Sequence, residues 1–112
     1  NHDLFRLNEY LPWFEDIYGC KPMHDMILTH IPIHPQDLGR FRANIHGHLH
    51  KNVITKTARD IVVDTFPNGA THRRMGEVQI PDLRYFSVCV EQINYTPIHY
   101  DEVRNQILSR GL

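Results

Sequence analysis

Asn44-Ile45-His46-Gly47-His48-Leu49-His50 is the stretch on which the reading of this chain turns. Asn44 to His48 reads as a short strand that empties into a glycine-containing turn, and Gly47-His48-Leu49-His50 then sets two imidazoles two residues apart. On a continuous strand, residues two apart share a face but stand about 6.6 Å apart with parallel side chains, so a strand alone offers little convergence. On a turn that follows a strand, His48 and His50 can both face one centre. Gly47 is expected there because a backbone turning sharply beside a metal needs a residue without a Cβ. Taken alone, the pattern also fits a solvated histidine-rich turn. Upstream, Met26-Ile27-Leu28 is the continuous apolar run of a strand buried on both faces in a parallel or mixed sheet. Thr29-His30 follows at its C-terminal end, where open α/β sheets gather their ligands.

Working outward, Leu4, Leu7, Leu11, Phe14 and Ile17 recur at spacings of three and four, which predicts a helical segment over 4–17 that Pro12 interrupts and Gly19 ends. Its apolar face is expected to cover a sheet. Pro35-Gln36-Asp37-Leu38 predicts one helical turn. From Lys51 to Pro81 the pattern is weak: Ile61-Val62-Val63 offers a strand, Pro67-Asn68-Gly69 signals a turn, and Lys51, Lys56, Arg59, Arg73 and Arg74 suggest a solvated basic loop. Tyr85 to Val90 reads as a strand and Pro97 to Tyr100 as a short edge strand. Asp101 is expected to open a final helix with Val103, Ile107 and Leu108 on one face and Gly111 at its end. Trp13, Phe14, Tyr85 and Phe86 are expected in the core. Strands interleaved with helices predict an α/β domain, incomplete with only three or four strands.

The composition limits what such a domain does. With 112 residues the chain is one domain at most, and 41% apolar with 22% charged residues is a globular balance. A net charge of −1 leaves no electrostatic footprint for extended nucleic-acid or membrane-surface binding. No apolar run approaches the roughly 20 residues that span a bilayer. Cys20 and Cys89 lie far apart without CxxC spacing, so a reduced, cytoplasmic setting is expected. Nine histidines are the unusual feature. Histidine is the commonest side-chain metal ligand and the usual proton-transfer group near neutral pH, so the surplus points at a site.

Asn1-His2-Asp3 sets an amide oxygen, an imidazole and a carboxylate in succession. The order Asn-His-Asp, then His30 after a strand, then Gly47-His48-Leu49-His50 after another, resembles the C-terminal part of the calcineurin-like metallophosphoesterase family. That family's pattern runs Asp-x-His, Gly-Asp-x-x-Asp, Gly-Asn-His-Asp/Glu, His and Gly-His-x-His. The likeness covers essentially the whole chain. It includes Leu28-Thr29-His30-Ile31-Pro32-Ile33-His34-Pro35 and Asp82-Leu83-Arg84-Tyr85-Phe86, which look like a small phage and bacterial branch.

The resemblance implies a phosphate mono- or diesterase in which a metal-bridged hydroxide attacks phosphorus. Two divalent ions, of the Mn, Fe or Zn type for imidazole, amide and carboxylate donors, would hold the phosphorylated substrate. It implies that Asn1, His30 and His48 bind the second metal and that His50 completes the first. His2 would act at the leaving-group oxygen as general acid, with Asp3 orienting it. The implied fold is an α-β-β-α sandwich of two facing sheets, of which residues 1–112 would form the C-terminal half. Asp-x-His and Gly-Asp-x-x-Asp are absent from the 112 residues. The expectation is therefore a fragment cut within its own motif, inactive by itself and holding at most one metal weakly.

His34 and His46 lie close enough in sequence to contact substrate, although a structural role is the simpler expectation. His24, His72 and His99 are expected to be ordinary, and Asn44 to make a local backbone hydrogen bond. A second class fits the same histidines: a non-catalytic binding module with a single structural zinc. Such sites usually recruit cysteine, and Cys20 and Cys89 are not in ligand-like spacing. A histidine–metal nuclease is a third.

Overall fold

The computed structural model describes residues 6–112 as a mixed α/β arrangement with two sheets. Four short strands, β1 (Cys20–Met23), β2 (Met26–Thr29), β3 (Ala43–His46) and, later in the chain, Tyr85–Ser87, form the first sheet. The second is a two-stranded ribbon of β4 (Thr55–Thr65) and β5 (Thr71–Pro81), which makes Tyr85–Ser87 strand β6. β1 runs antiparallel to β2, while β2, β3 and β6 run parallel, with Thr29 opposite His46 and His46 opposite Ser87. Pro22 is tolerated in β1 because that strand lies at the sheet edge.

β3 is the central strand, and all four of its residues are buried. Alternation splits the apolar residues between the two faces of the sheet. Met26, Ala43, Ile45 and Phe86 pack against Val103 and Ile107 of the C-terminal helix Tyr100–Ser109. Ile27 and Tyr85 pack on the other side with Leu38, which stands on a 3-10 turn spanning Pro35–Arg40 where the sequence predicts one helical turn. Among the described residues no helix is long and apolar enough to cross a membrane.

The expected helix over 4–17 is reduced to α1 (Leu7–Tyr10), followed by a 3-10 turn at Leu11–Trp13; the C-terminal helix is thus α2. Residues 4 and 5 lie outside the described part. Pro12 lacks the amide that a continuing helix needs, and Arg6 provides no side-chain cap, so periodicity loses to the proline. The apolar face is not covered: Trp13 is 81% exposed and Phe14 58%, so these two are not core aromatics, whereas Tyr85 and Phe86 are buried.

Two further expectations change near the C-terminus. The strand from Tyr85 ends at Ser87, because Cys89 N–H turns back to Ser87 Oγ and a 3-10 turn begins at Val90. Residues 97–99 do not form an edge strand. His99 accepts a hydrogen bond from Asp101 N–H and caps α2, taking the place expected of Asp101. Tyr100 OH donates to Met23 O, pinning the start of α2 to the β1–β2 turn. At the other end Arg110 donates to Leu83 O and Tyr85 O.

The weakly patterned 51–80 region is an ordered hairpin, not a loop. Pro67-Asn68-Gly69 does form its turn: Phe66 N–H reaches Ala70 O, Asn68 Oδ1 accepts from Ala70 N–H, and Gly69 takes φ +81°. Its base is closed by Asp82 N–H on Ile54 O at 2.9 Å. There Asp82, only 4% exposed, takes a forked hydrogen bond from Arg84 (3.0 and 2.6 Å) and a third from Arg84 N–H. Those Arg84 donors hold the Asp82 carboxyl below its ordinary value. The unfolded carboxyl binds a proton first on acidification, so the stabilisation is complete above about pH 4 and drains away as pH falls through the lower folded value. Melting temperature is therefore expected to fall between pH 5 and pH 2 with a steeper slope in wild type than in Asp82→Asn. Parallel pH profiles in thermal denaturation would remove this pairing from the account of acid stability.

Candidate metal centre

β2 and β3 are parallel neighbours, so their C-terminal ends open on the same side of the sheet. His30 follows β2 and Gly47-His48 follows β3, and Gly47 N–H bonds His30 O at 3.0 Å, extending the pairing one step beyond the strands. The two imidazoles then meet: His48 Nδ1 stands 3.3 Å from His30 Nε2, with the rings edge-on at 75°. Two ligands of one tetrahedral ion bonded at about 2.0–2.1 Å stand roughly 3.3–3.4 Å apart, so the pair fits a shared cation. The same distance also suits an N–H···N hydrogen bond between neutral rings.

The turn is sharp, but its sharpness does not rest on Gly47. A Cβ there would meet His30 Nδ1 at 3.5 Å, ordinary van der Waals contact, and Gly47 has no positive φ. The left-handed positions are His48 (φ 69°) and His50 (φ 54°). Such geometry costs a residue with a Cβ about 1–3 kcal/mol, and histidine tolerates it better than most. That conformation turns the two rings out of the strand direction, but they do not face one centre as the motif predicts: His48 meets His30 and His50 meets Glu91.

His50 faces a different neighbour. Its Nδ1 lies 3.0 Å from Glu91 Oε1, and Gln92 Nε2 donates to His50 O. A carboxylate accepts, so Nδ1 carries the hydrogen and Nε2 keeps its lone pair, the arrangement in which a carboxylate orients a metal-binding imidazole. Glu91 sits in the 3-10 turn after β6, and its carboxyl is held below its ordinary value by its own backbone N–H and then by His50. Glu91 is not among the candidates expected from the sequence, because no local signal links it to a residue 41 positions away. Glu91→Gln is expected to lower the affinity of His50 for a metal by about 10–100-fold. Addition of Zn²⁺ followed through the His50 ring resonances by NMR checks this, and an unchanged binding isotherm would mean that Glu91 does not orient it.

Asn1, His2 and Asp3 lie outside the described residues. Among the described residues no three His, Cys, Asp or Glu side chains are grouped to hold a metal. The donor set present is thus two imidazoles on one side and one carboxylate-oriented imidazole on the other.

Of the other described histidines, His24, His34, His46 and His99 have structural partners. His46 is buried, burial pushes its imidazole below the ordinary value, and its Nδ1–H donates to Gly47 O at 2.9 Å. His34 accepts from Gln36 N–H and caps the 3-10 turn, and His24 stacks on Tyr100. Asn44 makes the expected local bond, Nδ2 donating to Ile45 O at 3.3 Å, and does more besides. Its side chain is fully buried and reaches Ile33 N–H, Ile27 O and Thr29 Oγ1, holding the segment on either side of His30 against β3.

No family model matches the chain, and comparison with curated proteins and with solved structures gave no significant match.

Proposed function

We propose that this chain is the C-terminal part of a dinuclear metal-dependent phosphoesterase of the calcineurin-like kind, hydrolysing a phosphate mono- or diester. The observation that carries the reading is the His30–His48 pair, brought to 3.3 Å by a turn with left-handed histidines at the C-terminal edge of a parallel sheet. The His50–Glu91 pair adds to it, because a histidine whose Nδ1–H is taken by a carboxylate presents Nε2 as a donor. His30 and His48, with Asn1, would hold one ion, and His50 would contribute to the other. Divalent ions in such a site supply charge neutralisation on phosphoryl oxygens and acidify bound water. His2 would give its proton to the departing oxygen, and Asp3 would keep its ring in the orientation that allows this.

Two of the family's motifs, Asp-x-His and Gly-Asp-x-x-Asp, are not among these residues, so the proposed site is completed by another segment of the natural polypeptide. The test is to read the coding sequence upstream of Asn1, express the polypeptide it specifies, and assay p-nitrophenyl and bis(p-nitrophenyl) phosphate with Mn²⁺, Fe²⁺ or Zn²⁺. Metal-dependent turnover is expected from that polypeptide, none from the 112 residues alone, and reduced turnover with metal content retained in His2→Gln. A single tightly held Zn²⁺ without turnover would replace the enzyme by a structural zinc module. Strong activity from the 112 residues alone would overturn the incomplete-site reading.

A further inference from the structure

The β4–β5 ribbon is an unprotected edge. Each strand has 11 residues, about 35 Å of backbone, and among the described residues each pairs only with the other. Two-stranded ribbons are marginal in water, and exposed edges are usually blunted by proline, a bulge or inward charge. Residues 71–80 contain no proline, and the register runs from Thr55↔Pro81 to Thr65↔Thr71 without a bulge.

Which backbone groups are open follows from the turn. Phe66 N–H bonds Ala70 O, and hydrogen-bonded pairs alternate from there. The even-numbered residues of β5 therefore face β4, and Thr71, Arg73, Met75, Glu77 and Gln79 turn their N–H and C=O groups outward. The same odd residues share one ribbon face with Ile61 and Val63, and Ile61 (57% exposed), Val63 (51%) and Met75 (56%) lie uncovered on it.

This edge is complementary to itself. In an antiparallel pairing about a two-fold axis at Met75, Met75 meets Met75 of the partner subunit, Arg73 meets the partner's Glu77 twice, and Thr71 meets the partner's Gln79. Ile61 stands directly across from Met75 within each chain, so the pairing makes one apolar row, Ile61–Met75–Met75–Ile61, across four strands. Moving the axis to Arg74 sets that arginine against itself; moving it to Gly76 leaves Arg73 and Glu77 opposite uncharged residues. Neither Arg73 nor Glu77 belongs to an ion pair among the described residues, so both are available.

We propose that β5 pairs edge-to-edge with β5 of a second copy of this chain, centred on Met75, joining two ribbons into a four-stranded antiparallel sheet. The interface is isologous and closes as a dimer.

Sedimentation velocity over a concentration series tests this on the 112-residue chain. A monomer–dimer equilibrium is expected. Arg73→Glu converts two attractive pairs to repulsive ones and should weaken dimerisation about tenfold, and adding Glu77→Arg should restore it. With Cys20 and Cys89 replaced by serine, Met75→Cys should form a disulfide-linked dimer on mild oxidation, because hydrogen-bonded antiparallel partners have Cα atoms about 5.5 Å apart. Ile61→Cys, one strand further in, should not. A chain that stays monomeric at every concentration, a dimer indifferent to Arg73→Glu, failure of the double swap to restore it, or cross-linking through position 61 would each overturn the proposal.

Discussion

Replacing His48 or His30 with alanine is expected to abolish metal binding by this chain. Wild type should take up one Zn²⁺ or Co²⁺ per chain, and Co²⁺ absorption gives a readout of imidazole ligation independent of activity. Each variant removes one of two donors that meet at 3.3 Å. The affinity should fall by about 100-fold or more, beyond the 10–100-fold typical of losing a group that merely orients a ligand. Protons compete for the same lone pairs, so binding should also weaken on acidification. His34→Ala is the control, since His34 caps a turn elsewhere, and it should leave the isotherm unchanged. If both site variants bound as well as wild type, the His30–His48 contact would be a hydrogen bond between side chains and the proposed centre would lose its basis.

The second large effect is expected at Asn44, through folding instead of ligation. Asn44→Leu keeps the branched shape but leaves the part-buried Ile33 N–H and the buried Ile27 O without this partner and removes the bonds to Thr29 Oγ1 and Ile45 O. Each orphaned buried group costs about 1–3 kcal/mol, so a loss near 3 kcal/mol is expected against a total of about 5–15 for a domain. Urea denaturation should show a lower midpoint at unchanged slope. Metal affinity should fall as well, because the chain on both sides of His30 is no longer tied to β3. A loss below about 1 kcal/mol would mean that water or a shifted backbone replaces the amide.

What was legible in the sequence is what announces itself locally. Met26-Ile27-Leu28 is buried on both sides of a sheet, so it reads as an apolar run, and the turn at Pro67-Asn68-Gly69 is dictated by backbone chemistry within three residues. Of the ribbon's strands only Ile61-Val62-Val63 within β4 was legible; the rest of β4 and all of β5 escaped because neither ribbon face is covered by a core, so the strands lack the alternation that burial imposes. Leu4 to Ile17 has the opposite fault: its helical periodicity is real, but a single missing amide at Pro12 outweighs it. Within the site, His48 and His50 were visible as a motif, whereas Glu91 and the long reach of Asn44 depend on contacts 41 and up to 17 residues distant. Only the fold brings those groups together.

The closure at the base of the ribbon bears on how the chain folds. β6 must find β3 across residues 47–84, a parallel contact whose loop-closure entropy grows with the length of flexible chain between the strands. Because Asp82 N–H is tied to Ile54 O, the hairpin can form first from its own turn and deliver its two ends side by side. The stretch that must then be closed is short, and a distant pairing becomes kinetically near. Changes in ribbon length that preserve the register at Ile54 and Asp82 should accordingly leave the rate of sheet assembly almost untouched, whereas cutting the chain at Gly69 should slow it.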